Sequence, residues 1–513
     1  MQRGRLPSNN ARLWRIITLL SGLLIFSLIL PYPFCSDVSI QQWIAKRLVV
    51  DGALPFVGSW DNNFPGILLF HSLGILLFGN SELGFRIIEA AFHLSVMVFF
   101  YQWLLRWLTP RAAFISAFFF ALTMTQWGIF YLGVKDLFIA GLLLLALGIF
   151  DRNDRWPSIC ISSLLFGLAL LIRPLFLPLP LTLLLLYWRK LGIPKTVGFF
   201  LGLALPGLLT FIPYVVTGTV RNYYEATILW NLSPYQSFSA PFADFAGKLR
   251  DASYLLLPAA AALLPPHWFG TRDRLNEIVM QRPDKRQLRL YFLLIAEAFA
   301  IFALQRKFLP YHIAPFLALI CPLAGVGLER LSGMITQTHI SRLVLAITVA
   351  LLFLFVSPIL PVSHYILRGD ISHLMPFAND PLIGLGAEQA VEDYLSQPKN
   401  ARGAIEVVAY DARLRNRLDR PEATRFTMVH ALTIGNKDGS YPPFQQAWRS
   451  EFLADIVRAP ARFIIVGTPW GFWNLPPLGK NLSHQLPALD SLLRSNYRLD
   501  TTFGGYEIFR LNQ

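Results

Sequence analysis

The sequence is poor in charged residues and in cysteine. Only 15% of its 513 residues are Asp, Glu, Lys or Arg, and 54% are hydrophobic, whereas charged residues make up about a quarter of a soluble protein. The three cysteines, Cys35, Cys160 and Cys321, have no metal-type spacing, so a disulfide framework and a cysteine-bound zinc are both disfavoured. These shortages favour a membrane protein.

Long apolar runs recur over the first 360 residues and indicate a polytopic membrane protein. We predict about eleven transmembrane helices, at 14–34, 82–108, 112–131, 136–150, 157–172, 174–188, 196–217, 253–268, 290–304, 308–328 and 341–361. The first run follows several arginines and lacks a small-residue cleavage site, so we interpret it as a retained span. The predicted fold class is an all-α membrane domain over 1–362, followed by a small α/β domain over 363–513.

The basic excess belongs to the membrane part and not to the tail. Before residue 362 there are 29 Lys and Arg against 16 Asp and Glu, and after it 16 against 15. This distribution, without any nucleic-acid-binding motif, argues against a nucleic-acid partner. Basic loops stay on the cytoplasmic side, which puts the N-terminus inside and the tail outside.

Two outer segments and the tail carry recognisable elements. In 35–81, "DVSIQQWIAKRLVV" predicts a helix lying in the interface plane with one apolar face, and "FPGILLFHSLGILLFG" a re-entrant or interfacial helix. The second outer segment is 218–250. In the tail, "AIEVVAYDA", "ARFIIVGTP" and "YEIFRLN" predict strands, and "EQAVEDYLSQ" and "LDSLLRSNY" predict amphipathic helices.

Acidic and amide residues stand on the predicted outer side, and each has a local alternative. Asp37 follows the first span and would also suit a helix N-cap. Asp61, Asn62 and Asn63 precede a Pro-Gly pair, where a capped helix start is the alternative. Asp136 opens the fourth predicted span, where the helix dipole alone favours a carboxylate.

Cationic residues stand on the same predicted side. Arg173 ends the fifth predicted span, although an arginine at this depth also snorkels to the interface. Arg306 and Lys307 lie between the ninth and tenth predicted spans, followed by Tyr311 and His312. Several cations at one membrane boundary suggest a bound anion, for which arginine offers a bidentate fork.

Carboxylates beside cations at the outer boundary indicate a group transfer. An aspartate would take the proton of a hydroxyl nucleophile, and arginine or lysine would neutralise a departing lipid phosphate. A phosphate leaving group needs little general acid, so one base and a cationic clamp would suffice.

The order of these elements resembles the GT-C superfamily of polyprenyl-phosphate-sugar glycosyltransferases. It is most similar to the branch that contains protein O-mannosyltransferases and the lipid A aminoarabinose transferase. That branch has an outer Asp, a Lys-Pro-type turn, a helix ending in Leu-Phe-Gly and an Arg on the next span. Here Pro65-Gly66, Leu77-Phe78-Gly79 and Arg86 fill the later places. The resemblance covers about the first 360 residues.

The resemblance implies roles for these residues. Asp37 matches the catalytic base and Asp136 the second acid, while Arg173 and the 306–312 stretch lie where members bind the lipid phosphate. Arg86 is expected to be structural. One departure is that Asn63 or Phe64 replaces the family's lysine before proline. Catalysis with a divalent metal held by Asp37, Asp61 and Asp136 is less favoured than metal-free catalysis.

The resemblance also implies partners and a location. The donor would be a polyprenyl-phosphate-linked sugar, and the acceptor a glycolipid, a polysaccharide or a protein hydroxyl. The chain would be a multi-pass protein of the bacterial inner membrane, with its N-terminus cytoplasmic and its C-terminal domain periplasmic. Two alternatives stay open: a transporter or flippase of a lipid-linked sugar, and a non-catalytic envelope scaffold.

Overall fold

The computed structural model describes residues 9–127, 131–152, 154–237, 240–263, 285–335, 385–410, 412–467 and 478–512. The contacts divide the chain into two compact units. The first contains Met1–Pro33, Glu82–Thr210 and Ala240–Leu360, and the second contains Phe34–Ser81, Phe211–Ser239 and Pro361–Gln513. The whole of the first predicted outer segment, 35–81, therefore belongs to the same unit as the tail. The predicted boundary at residue 362 lies outside the described residues and stays a prediction.

Most helices of the first unit overlap the predicted spans, whereas Phe242–Asp251 lies almost entirely in the predicted second outer segment, 218–250. The helices of this unit are Asn9–Ser27, Glu82–Leu104, Pro110–Thr125, Lys135–Arg152, Trp156–Ile172, Pro178–Val216 (whose last turns belong to the second unit), Phe242–Asp251, Ser253–Leu263, Lys285–Gln305 and Ala314–Ile335. The last predicted span, 341–361, lies outside the described residues. The total number of spans therefore stays a prediction.

By length and composition, four helices of the described part can cross a membrane: Glu82–Leu104, Pro174–Val216, Lys285–Gln305 and Pro310–Ser332. Shorter apolar helices are Pro65–Phe78, Pro110–Thr125, Trp156–Ile172 and Ser253–Leu263. A full span needs about 20 apolar residues. The segment predicted to be re-entrant or interfacial is therefore among the helices too short to span.

One long helical segment contains two predicted spans. Pro178–Val216 is interrupted at Gly192, whose backbone has φ 71° and ψ 168°, a conformation that only glycine adopts without strain. Large apolar side chains along both halves are exposed, including Leu185, Ile193 and Leu201. An exposed apolar surface of this kind is what a helix presents to lipid.

The second unit contains a four-stranded sheet. Its strands are β1 (Ile405–Val408), β2 (Phe463–Gly467), β3 (Tyr497–Phe503) and β4 (Tyr506–Leu511), in the order β1-β2-β4-β3. The β1–β2 pair is parallel and the other pairs are antiparallel. The three predicted strands are confirmed, whereas the sequence does not predict β3, which lies at the sheet edge and has only one buried residue.

The helices of the second unit come from both the loops and the tail. The main ones are Ser36–Asp51, Leu68–Phe78, Val220–Tyr224, Leu385–Ser396, Arg413–Leu418, Pro443–Arg458, Leu478–Gln485 and Pro487–Asn496. Both amphipathic helices predicted in the tail are confirmed. Trp60 packs edge-on against Trp230 and Trp448, with ring centroids 5.4 and 5.6 Å apart. Three distant stretches of chain therefore share one aromatic core.

The helix Ser36–Asp51 is present as predicted, but the prediction that only its apolar face is buried is wrong. Gln41 and Gln42 are as buried as the apolar face. The Gln42 amide donates to Asn80 Oδ1 at 3.0 Å, and its Oε1 lies 2.8 Å from His71 Nδ1. Burial of the polar side is possible because these amide and imidazole groups satisfy one another.

Candidate functional site

A buried ion pair in the first unit fixes the chain in front of Asp136. Arg86 Nη1 lies 2.6 Å from Glu89 Oε2, while its other nitrogens donate to the carbonyls of Tyr32 and Pro33 at 3.0 and 2.8 Å. A Cβ on Gly133 (φ 81°) would lie 2.7 Å from Arg86 Nη1. Arg86 therefore has the contacts of a structural residue.

Asp136 and Arg173 form a buried ion pair at two helix ends. Asp136 stands in the first turn of Lys135–Arg152, and Arg173 Nη1 lies 2.9 Å from its Oδ1. Arg173 has an extended backbone because Pro174 follows it and the helix Trp156–Ile172 ends there. Its side chain is 11% exposed, so it is held by partners inside the unit rather than extended to solvent.

Two more side chains hold the Arg173 guanidinium. Its Nη1 donates to Gln305 Oε1 at 2.7 Å, and its Nη2 lies 3.3 Å from His312 Nε2. The Tyr311 ring packs edge-on against His312 at 4.7 Å and lies 5.1 Å from the Tyr131 ring. Arginine, carboxylate, amide, imidazole and phenol therefore converge where several helices begin or end.

The loop after Gln305 is strained and buries a lysine. Arg306 and Phe308 have φ of 51° and 46°, a region that non-glycine residues enter at a cost of about 1–3 kcal/mol. Lys307 between them is buried, whereas Arg306 is exposed. The loop is held from outside by the Ala240 N–H, which donates to the Arg306 carbonyl at 2.8 Å.

The structure thus brings together most of the cationic candidates. The positive charges that act on the His312 ring are those of Arg173, Lys135 and Lys307. Together with Asp136 and Tyr311 they form what we call the Arg173 cluster, defined by Lys135, Asp136, Arg173, Gln305, Lys307, Tyr311 and His312. Its cations outnumber its single carboxylate, so it favours an anion.

The stretch 61–63 in the second unit forms a tight polar turn. Asp61 is buried, and its Oδ1 accepts from the Asn62 N–H at 2.7 Å and from Asn63 Nδ2 at 2.9 Å. Asn231 Nδ2 donates to the Asn62 carbonyl at 2.6 Å. The alternative of an asparagine cap is wrong, because Phe64 is the N-cap of Pro65–Ile67 and makes no side-chain cap bond.

Asp37 also belongs to the second unit. It lies half-buried in the first turn of Ser36–Asp51, where the helix dipole stabilises a carboxylate. The N-cap position is occupied by Cys35, which makes no side-chain cap bond, so the alternative of Asp37 as the cap is wrong. Its place in the first turn leaves the proposed role as a base open.

A scan of protein-family models and a search of curated proteins found no match. Among solved structures, ArnT from Cupriavidus metallidurans bound to undecaprenyl phosphate is similar at 16% identity, with 98% of each chain covered and a TM-score of 0.59. The apo form of the same protein matches at 14% identity, 98% of each chain and a TM-score of 0.58. The chain has the GT-C fold. The resemblance indicated by the sequence is confirmed at the level of the fold.

Within this GT-C fold, the Arg173 cluster contains two residues, Lys135 and Gln305, that the sequence does not predict as site residues. Lys135 stands directly beside Asp136 in the sequence and would pass for its solvated neighbour, yet its charge acts on the buried His312 ring. Gln305 is uncharged and carries no signal of its own, although its position beside Arg306 at a helix end is a usable clue. Among the described residues, no group of three His, Cys, Asp or Glu could hold a metal ion.

Proposed function

We propose that this chain is a membrane glycosyltransferase that moves a sugar from a polyprenyl-phosphate donor to an acceptor hydroxyl. The observation that carries the proposal is the Arg173 cluster, a partly buried set of cations at helix ends of a GT-C fold. A similar fold, that of ArnT, has been solved with undecaprenyl phosphate bound. Cations and N–H donors in a low-dielectric site are what a phosphate leaving group requires.

The proposed reaction is a single displacement. Asp37 accepts the proton of the acceptor hydroxyl as its oxygen attacks the anomeric carbon. The bond from that carbon to the phosphate oxygen breaks, and the electron pair leaves with the polyprenyl phosphate. Attack from the face opposite the leaving group inverts the anomeric centre. No metal is required, because the cluster supplies the positive charge.

The remaining residues divide by role. Arg173, Lys307 and His312 contact the phosphate, Tyr311 shapes the pocket beside them, and exposed Arg306 attracts the anionic head group. Asp136 holds Arg173 in position through their 2.9 Å contact. In the second unit, Asp61, Asn62 and Asn63 line the path of the sugar, where amide and carboxylate groups suit hydroxyl recognition.

We further propose the setting of the reaction. The chain is a multi-pass protein of the bacterial inner membrane with a cytoplasmic N-terminus, and transfer occurs on the periplasmic face. The acceptor is a glycolipid, a polysaccharide or a protein hydroxyl. Mass spectrometry of cell-envelope glycans with and without the gene would identify the sugar and the acceptor.

The direct test replaces the proposed base. Asp37→Asn keeps the size and polarity of the side chain but removes its basicity, so we expect transfer to fall by about 10²–10⁴-fold while insertion and thermal unfolding stay unchanged. Asp51→Asn, at the other end of the same helix, is the matched control. Full transfer by Asp37→Asn would disprove the assignment, and movement of a lipid-linked sugar across vesicles without transfer would favour a flippase.

A further inference from the structure

The contacts of Arg173 fix the donor and acceptor roles of its neighbours. A guanidinium can only donate hydrogen bonds. Because Arg173 Nη2 donates to His312 Nε2 at 3.3 Å, that nitrogen is the acceptor of a neutral ring, and the ring proton is on Nδ1. Gln305 accepts from Arg173 Nη1 through Oε1 at 2.7 Å, so both hydrogens of its Nε2 point elsewhere.

Among the described residues, neither His312 Nδ1 nor Gln305 Nε2 makes a hydrogen bond, although both atoms are shielded from solvent. The His312 side chain as a whole is 3% exposed. Folded proteins pair almost all buried donors. His312 and Gln305 both contact the Arg173 guanidinium, so their unpartnered N–H groups indicate that an acceptor binds beside Arg173.

The charges around the two donors identify the class of that acceptor. Arg173, Lys135 and Lys307 all act on the His312 ring, and Asp136 offsets only one of these charges. A neutral carbonyl or hydroxyl would leave the positive excess unbalanced. An oxyanion with several acceptor oxygens satisfies both the charge and the free N–H groups.

We propose that Gln305 Nε2–H and His312 Nδ1–H donate to the non-bridging oxygens of the lipid phosphate held beside Arg173. This inference rests on the proposed function and adds Gln305 as a binding residue. Uncharged donors complete the coordination of the phosphate without adding further like charges to a site that already holds three cations. Gln305 and His312 thus each accept a hydrogen bond from Arg173 through one atom and donate to the phosphate through another.

The first test exploits two substitutions of His312 with opposite geometry. His312→Asn keeps an N–H near the Nδ1 position and gives up the acceptor for Arg173, whereas His312→Gln keeps an acceptor near Nε2 and gives up that N–H. We expect the affinity of the purified full-length chain for undecaprenyl phosphate to fall about 10-fold further in His312→Gln than in His312→Asn. The opposite ranking would show that His312 only orients Arg173 and would overturn the inference.

The second test concerns Gln305. Gln305→Glu keeps an acceptor for Arg173 but removes the N–H donor, and Gln305→Met removes both. We expect the affinity of each variant for undecaprenyl phosphate to fall by about 10-fold or more. Affinity for undecaprenol, which lacks the phosphate, should not change. Gln287→Met, at the start of the same helix, is the control. Wild-type affinity in Gln305→Glu would overturn the inference.

The wild-type chain separates this inference from the proposed function. If it binds neither undecaprenyl phosphate nor a polyprenyl-phosphate sugar, the proposed function fails. If it binds them and the variants rank as a purely structural role requires, only the donor assignment fails. Competition by inorganic phosphate at equal concentration would show that the site recognises the phosphate without its lipid, and would contradict recognition of a lipid phosphate.

Discussion

Two arginines held by carboxylates, Arg415 in the tail and Arg173 in the first unit, differ in the charge that surrounds them. In the tail, Arg415 lies 3.1 Å from Glu406 and 2.5 Å from Glu422. Both Glu406 oxygens are occupied, because the Thr424 N–H donates to Oε2 at 3.0 Å and its hydroxyl to Oε1 at 3.2 Å. In the first unit, Arg173 is surrounded by two donors that have no acceptor among the described residues.

The comparison separates a structural ion pair from a binding site. Burial of charge is common to both, so burial alone does not identify function. The Arg415 network carries two acids for one guanidinium, and among the described residues Arg415 Nε and Glu422 Oε1 have no hydrogen-bond partner. The Arg173 cluster instead carries an excess of cations, and the N–H groups that lack a partner in the described part of the chain belong to the neighbouring His312 and Gln305. The sign of the local charge and the unpartnered donors together mark the second as a place for a ligand.

The largest effect is expected from breaking the tail network. Arg415→Met leaves Glu406 and Glu422 buried without their cation, and we expect the free energy of unfolding to fall by about 3–5 kcal/mol. Arg417→Met is the matched control, because its pair with Glu392 is partly exposed and a pair of that kind contributes about 0–1 kcal/mol. Thermal and denaturant unfolding of the full chain measure both. Equal losses would contradict the distinction between the two arginines.

The next effect falls on activity rather than stability. Arg173→Lys keeps a charge beside Asp136 but loses the planar fork that reaches Gln305 and His312. We expect sugar transfer to fall by about 10²-fold, with little change in unfolding temperature. Arg106→Lys is the control, since Arg106 pairs with Asp151 in a partly exposed contact. Transfer within twofold of wild type would show that charge alone suffices at Arg173.

A smaller, pH-dependent effect sharpens the contrast on the tail side. Burial and the neighbouring Glu422 charge raise the pKa of Glu406 from 4.5 to about 8, although the nearby Arg415 charge acts to lower it. The folded tail then holds a proton that the unfolded chain releases, so this contribution to stability is complete below pH 4.5 and is lost as the pH rises through 8. Glu406→Gln should flatten the dependence of unfolding temperature on pH over this window, and Glu392→Gln should not. Parallel curves for wild type and Glu406→Gln would refute the expectation.

The sequence predicts much of the first unit because the patterns that specify its helices are local. Apolar runs fix the helices, and Pro174 and the charged residues at helix ends single out Asp136, Arg173 and His312. Gln305 is invisible to such signals, because an uncharged amide becomes informative only when its partner is known. The same holds for Trp60, whose packing against Trp448 joins residues far apart in the chain, and for β3, whose exposed side chains hide its pairing.

A third buried polar residue tests whether unpartnered nitrogens alone mark a site. His93 is buried in the helix Glu82–Leu104, and neither of its ring nitrogens has a partner among the described residues. Its neighbours are phenylalanine rings, including Phe26, Phe92 and Phe138 at centroid distances of 6.0, 5.1 and 5.4 Å. No cation belongs to this set, so we assign it no ligand.

The substitution His93→Phe removes a buried N–H that has no partner among the described residues, and it keeps an aromatic ring in an aromatic environment. We expect the protein to become more stable by about 1–2 kcal/mol, with sugar transfer unchanged. His93→Ala, which leaves a cavity, should instead destabilise the fold. A loss of sugar transfer in His93→Phe at unchanged stability would show that an unpartnered buried imidazole marks a functional site even without nearby cations. Unpartnered donors alone, without an excess of positive charge, would then be enough to identify a site.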